Sequence, residues 1–176
     1  MKFELNTMLL QAVLNKSVKA VSTKDLMPSL KNFVIKANAE NKMVTIIAGD
    51  GATYMIRDIP CADISQDGEV CVDARSLTKY VNKITEDSVV FELDSTNLIV
   101  KFGKKGKAKL KTISVEDYIM PEELKFDVEN RPIELAKLKQ ALKLCSITVS
   151  NNATEVYYTG YKVGEKIVST NRNNLT

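Results

Sequence analysis

One order of elements opens twice in this chain, and that repetition constrains its folding more than any other feature. Near the start, Phe3-Glu4-Leu5 alternates apolar and charged residues. A polar step and the helical stretch Gln11-Ala12-Val13-Leu14 follow, closing on Val21-Ser22. Further on, Ile133-Glu134-Leu135, a polar step and Gln140-Ala141-Leu142 close on Val149-Ser150. Each copy reads as strand, helix and return to strand, and the offset is about one ordinary domain length. The reading is a tandem of alike domains, 1–124 and 125–176, with the second incomplete. Chance likeness of two amphipathic helices is the plain alternative.

Between the two openings the pattern alternates with punctuation. Asn6 or Thr7 caps a helix running to about Val21, with Leu9, Val13 and Val18 among its apolar positions. Strands are predicted at Leu30–Ala37, Met43–Ala48 and Thr53–Ile59. The polar turn Ala39-Glu40-Asn41-Lys42, Gly49-Asp50-Gly51 and Pro60 bound them. A loop at Asp67-Gly68 leads into Glu69–Val72. Asp73 then caps a second helix, Ala74–Ile84, with Leu77, Val81 and Ile84 on one side and Arg75, Lys79 and Lys83 on another. Val89–Leu93 and Asn97–Phe102 form a hairpin, and Ala108–Ile113 adds a strand. The first domain reads β-α-β-β-β-β-α-β-β-β, an α+β arrangement with two helices on one face of a mostly antiparallel sheet. Met120-Pro121-Glu122-Glu123 reads as a linker. The second copy opens near Phe126 with a strand pair, a helix over Ala136–Cys145, and strands at 155–163 and 166–170.

Composition narrows the chemistry. Hydrophobic residues make 44% and charged residues 27%, the balance of a soluble globular chain. Glu4 sits where a secretion signal needs an apolar core, so a cytoplasmic location is expected, without membrane. Cys61, Cys71 and Cys145 are odd in number and widely spaced, and read as reduced, buried, small apolar side chains. There is no histidine, which removes the commonest general base and metal ligand. No cofactor or metal site is expected, and no paired carboxylate motif supports catalysis. Gly49-Asp50-Gly51 reads as a turn, because it lacks the Lys-Ser/Thr of a phosphate loop. The net charge of +3 is unevenly spread: Lys101, Lys104, Lys105, Lys107, Lys109 and Lys111 crowd one stretch with no acid among them.

Met1-Lys2-Phe3, Met27-Pro28-Ser29-Leu30-Lys31-Asn32, Val72-Asp73-Ala74-Arg75, Phe102-Gly103-Lys104-Lys105 and Ser114-Val115-Glu116-Asp117-Tyr118 resemble the bacterial DNA polymerase III beta subunit, the sliding clamp. Val156-Tyr157-Tyr158 and Thr170-Asn171-Arg172-Asn173-Asn174-Leu175 extend the resemblance to the end of the chain. There are departures. Val156 stands where an Arg is frequent, Arg172 where a Gly is usual, and the rest of domain two and all of domain three are absent. The resemblance implies the clamp fold and a topological, non-catalytic role. In the family, three alike domains make a subunit, and two subunits close head to tail around duplex DNA and tether the replicative polymerase.

The resemblance and the helix pattern together select DNA-facing candidates: Lys16, Lys19, Lys24, Arg75, Lys79 and Lys83 in the first domain, and Lys137, Lys139, Lys143, Tyr157 and Tyr158 in the second. Against this, single helix lysines are ordinarily solvated, and the tyrosines could serve strand packing. The lysine-rich strand has three readings: direct nucleic-acid contact, charge guarding an edge against aggregation, or, as the resemblance implies, a subunit interface. The interface would use Tyr80, Ile84, Lys105, Lys107, Ala108 and Leu110. A cleft for short peptides of polymerases and the clamp loader is implied at Thr159, Thr170, Arg172, Asn173 and Leu175, with its other wall missing. The alternative function is a stand-alone module that binds a clamp loader or another clamp without encircling DNA.

Overall fold

Alternating burial organises the first part of the chain. In the computed structural model, which describes residues 1–23, 27–121, 132–152, 154, 156–164 and 166–176, the chain divides into two units, Met1–Glu123 and Leu124–Thr176. The first contains β1 (Lys2–Asn6), α1 (Thr7–Ser17), β2 (Asn32–Asn38), β3 (Met43–Gly49), β4 (Tyr54–Pro60), β5 (Asp63–Gln66), β6 (Gly68–Asp73), α2 (Ala74–Val81), β7 (Ser88–Asp94), β8 (Asn97–Phe102) and β9 (Gly106–Ile113). The fold is α+β, and every strand pair is antiparallel.

The strand order β4-β3-β2-β6-β9-β8-β7-β1-β5 places β4 and β5 at opposite ends. Only Cys61 and Ala62 separate them in sequence, a link of roughly 10 Å at full stretch. The sheet must therefore curl until its ends meet. β4 pairs with β3 and β5 pairs with β1, so the two are halves of one interrupted strand that changes sheet. β9 does the same on the other side, pairing with β8 along most of its length and with β6 at Thr112 and Ile113. Such corner strands let two sheets share one core. The unit thus contains two like halves, β1-α1-β2-β3-β4-β5 and β6-α2-β7-β8-β9, joined by the β1–β7 and β2–β6 pairings.

The main core draws on both halves: Phe3, Leu5, Leu10 and Leu14 from one, Val72, Leu77, Val81, Phe91, Leu98 and Leu110 from the other. Phe3 and Phe91 stack with ring centroids 5.0 Å apart. On the opposite face of β2, β3 and β6, a smaller cluster of Val34, Ile47 and Cys71 is covered by Leu30 and Tyr118.

Both helices of this unit are shorter than their apolar pattern predicts. α1 stops at Ser17 because Lys19 and Ala20 donate to the carbonyls three residues back, tightening the end. α2 stops at Val81 for the same reason, with Lys83 bonded to Tyr80 and Ile84 to Val81. β5 carries no apolar alternation and is absent from the sequence reading.

In the second unit, α3 (Leu135–Cys145) is followed by 3-10 turns at Ser146–Thr148 and Val156–Tyr158, and by the hairpin β10 (Lys162–Val163) and β11 (Ile167–Val168). The predicted opening strand at Ile133-Glu134-Leu135 is not formed. Residues 132–134 are irregular, and Leu135 starts the helix, with Leu138 N–H donating to the Glu134 carbonyl at 3.0 Å. The rest of that strand pair falls at 126–131, outside the described residues. The strand predicted over 155–163 shrinks to Lys162–Val163 among the described residues. Both the backbone N–H and the hydroxyl of Thr159 donate to the Val156 carbonyl, so a turn holds the group a ladder would need. α1 and α3 each span 11 residues, and Leu10, Leu14 and Ser17 fall at the same helical positions as Leu138, Leu142 and Cys145.

Candidate nucleic-acid interface

The candidate surface begins with two caps. The Asn6 side chain accepts from Leu9 N–H at 3.0 Å, and the Asp73 carboxylate from Ser76 N–H at 2.8 Å. Each cap replaces water at an orphan N-terminal donor and fixes where its helix starts. Apolar burial then fixes rotation: Leu10 and Leu14 face the core from α1, and Ala74, Leu77 and Val81 from α2.

Polar contacts lock the two helices together. The Gln11 amide donates to the Val81 carbonyl at 2.9 Å and to the Ile84 carbonyl at 3.0 Å, satisfying two groups at the end of α2. Asn15 and Asn82 exchange side-chain amide bonds at 3.1 and 2.8 Å. Sequence reading missed this role for Gln11, Asn15 and Asn82. The only trace was two amides four residues apart on the flank of α1, a spacing that puts them on one face.

What remains outside is cationic. Lys16, Lys19, Arg75, Lys79 and Lys83 are all exposed. None of the five has an ion-pair partner among the described residues. Lys19 and Lys83 lie just past their helices, on the tightened turns. Ser76, Lys79, Tyr80 and Lys83 line an open depression of about 340 Å³. Part of this charge serves the helices themselves, since Lys16 and Lys79 sit in last turns, where cations complement the helix dipole. Lys24 lies outside the described residues.

β9 sorts its residues strictly. Ala108 and Leu110 enter the main core, while Lys107, Lys109 and Lys111 point to the other face. Ile84, grouped with them by resemblance, is also a core residue, whereas Tyr80, Lys104 and Lys105 are exposed. Lys101 is neutralised by Glu92, whose carboxyl its ammonium holds below the ordinary carboxylate range.

In the second unit, Lys137 pairs with Glu134 at 2.7 Å, and Lys139 and Lys143 are exposed on α3. Tyr157 is 97% exposed. Tyr158 is half-buried and lies under the Arg172 guanidinium, 5.3 Å from its ring centroid, a cation–π arrangement. Arg172 has a φ of 74°, in the left-handed region that favours glycine. The Thr170 hydroxyl anchors this turn, donating to the Asn174 carbonyl at 2.7 Å and accepting from Arg172 N–H at 3.1 Å. Asn173 and Leu175 are exposed beside it, and so is Thr159.

All three cysteines are buried and free. Among the described residues, no group of three or more Cys, Asp or Glu side chains is placed to hold a metal, and no helix is long and apolar enough to cross a membrane.

Residues 1–122 match the model of the DNA polymerase III beta subunit, N-terminal domain. No curated protein matches the sequence. The DNA polymerase sliding clamp of Bacillus subtilis superposes with a TM-score of 0.86 at 22% identity, covering 98% of this chain and 48% of that one. The beta subunit of Streptococcus pyogenes DNA polymerase gives 0.85 at 21% identity, over 98% of this chain and 47% of the other. The DNA polymerase III beta subunit of Pseudomonas aeruginosa gives 0.81 at 20%, over 99% and 48%. The chain therefore spans about half the length of the solved structures it matches. It belongs to the DNA polymerase III beta subunit family, whose N-terminal domain its first 122 residues represent, and it has the sliding-clamp fold.

Proposed function

We propose that this chain acts as part of a DNA sliding clamp, a non-catalytic cytoplasmic component of replication that encircles duplex DNA and holds the replicative polymerase near its primer end. The observation that carries the reading is the exposed cationic surface of α1, α2 and the turns that end them, without ion pairs among the described residues. Lys16, Arg75 and Lys79 stand on helices whose opposite sides are fixed in the core, and Lys19 and Lys83 on the turns that end them. Point charges without base-reading groups attract phosphates and leave the protein free to move along the duplex. Lys24, Tyr157 and Tyr158 are assigned to the same role by family resemblance, and Lys137, Lys139 and Lys143 as the cations of the second unit's helix.

Closure would join unlike surfaces head to tail, with the open edge of β9 as one of them. Lys105 and Lys107 would meet acids there, Tyr80 would contribute from α2, and Ile84, Ala108 and Leu110 would support the edge from the core. Thr159, Thr170, Arg172, Asn173 and Leu175 form the proposed near wall of a cleft for peptides of the polymerase and clamp loader. The Arg172–Tyr158 stack occupies part of that wall.

The test loads the native gene product onto nicked circular plasmid with its clamp loader, then linearises half the sample. Retention on circles with rapid loss from linear DNA supports the reading. Equal dissociation from both overturns it in favour of a partner-binding module.

A further inference from the structure

Two groups of cations in the first unit lie on different surfaces. The helix-borne set lies on the core side of the sheet. The β9 set, Lys107, Lys109 and Lys111, lies on the other face, because Ala108 and Leu110 between them point into the core with the helices. We propose that this outer lysine row, carried by Lys109 and Lys111 with Lys107 at the end shared with the proposed subunit edge, is a second nucleic-acid surface, one that grips the phosphodiester backbone without regard to sequence.

Spacing supports it. Alternate residues of a strand lie roughly 7 Å apart, far enough for each ammonium to reach a different phosphate. Lysines at this spacing present separate charges that backbone phosphates can meet one at a time. The charge is also compensated only at one end among the described residues. Lys104, Lys105, Lys107, Lys109 and Lys111 have no ion pair among the described residues, and β9 contains no acid. Lys101 is paired with Glu92, whose carboxylate is also stabilised by Lys107 at the end of the row. The cross-strand partners of the row are Lys101, Ile99 and Asn97, so no carboxylate faces it directly.

Nucleic acid fits better than an acidic protein segment. Protein partners take most of their affinity from buried apolar or aromatic anchors. The one large apolar side chain in the middle of this face, Ile99, is already buried and offers no pocket. Phosphates need only the charges.

The surface is separate from the helix-borne one. A helix layer on a sheet is roughly 10 Å thick between mid-planes, and side chains extend it on both sides. A stretch of DNA lying along the helices therefore leaves the outer row free for another segment. This inference does not depend on ring closure.

The test titrates a fluorescent 20-base-pair duplex with the 176-residue chain over a range of salt, comparing K109E/K111E, K79E/K83E and their combination. Lys109 and Lys111 take no part in the proposed subunit edge. Removing two phosphate contacts should make the slope of log affinity against log salt shallower by about 2, with K109Q/K111Q behaving alike, and the loss should add to that of K79E/K83E. An unchanged slope in K109E/K111E overturns the inference and leaves these lysines as edge guards. Stronger competition by poly-glutamate than by unlabelled duplex of equal charge overturns it in favour of an acidic protein partner. Loss with K109E/K111E but not with K79E/K83E would uphold this surface and count against the helix-borne one.

Discussion

The Cys61 thiol donates to the Glu4 carbonyl at 3.1 Å, while the Cys61 backbone N–H donates to the Lys42 carbonyl at 2.9 Å. One residue thus ties β1, in one sheet, to the β2–β3 turn, in the other, at the point where the interrupted strand changes sheets. Cys61→Ala removes the thiol bond and opens a small void at the corner. The expected cost is about 1–2 kcal/mol in urea unfolding. Cys61→Ser, whose hydroxyl can still donate to Glu4, should recover part of it. Equal losses in both variants would show that volume alone matters.

Burial pushes the Cys71 thiol up from 9.0 to about 12, with Asp117 adding in the same direction. Burial likewise raises Tyr118, which covers it. The sign follows from linkage: the unfolded thiol releases its proton near 9 while the folded one keeps it, so stability is intact below 9 and falls as pH rises toward 12. Denaturant midpoints measured at pH 8, 9, 10 and 11 should decline, and Cys71→Ala should flatten that decline whatever its effect at pH 8. An equally steep decline in the variant would sink the assignment.

Gln11 satisfies two carbonyls at the end of α2. Gln11→Ala removes the side-chain donor from both, leaving the Val81 carbonyl only its bond from Ile84 N–H, and a loss of about 1–3 kcal/mol is expected. Gln11→Glu should be worse at neutral pH, because a carboxylate faces those carbonyls, and should improve as the solution is acidified. Urea melts at pH 4 and pH 7 distinguish the two effects.

Arg75, Lys79 and Lys83 are exposed and without ion pairs among the described residues. Reversing all three to Glu should leave the melting temperature within a few degrees while making DNA association weaker and less sensitive to salt. A large drop in melting temperature with unchanged association would mean that the stripe is structural.

A Cβ at Gly49 would fall on the ring of Tyr54, its cross-strand partner. The Tyr54 hydroxyl donates to the Ile119 carbonyl at 2.9 Å, so Gly49→Ala should displace the ring and break that bond. The expected loss is about 1–3 kcal/mol, together with faster amide exchange around Ile119.

How far the sequence discloses this depends on whether a feature is local. Asn6 and Asp73 are legible as caps because an N-cap acts within three residues. The Asp94–Asn97 hairpin is legible because its alternation continues on both sides. β5 was invisible, since only Ile64 of Asp63–Gln66 is even half-buried and its pairing with β1 spans some sixty positions. The two corners are invisible for the same reason. At the candidate interface, the exposure of Arg75, Lys79 and Lys83 follows from helical spacing, but the fixing of that face by Gln11, Asn15 and Asn82 is a contact between distant segments. The strand predicted from Val156-Tyr157-Tyr158 failed because β propensity needs a partner to act on, and a local turn held the Val156 carbonyl.

β1 lies between β5 and β7, so Lys2–Asn6 have strands on both sides. On the ribosome β1 emerges before either neighbour; β5 follows at Gln66, and both are present only once Asp94 has been added. At about 5–20 residues per second this leaves Phe3 and Leu5 without a home for on the order of ten seconds. During that interval the nascent segment is a target for chaperones, and codon changes that slow the first ninety positions should lengthen its exposure.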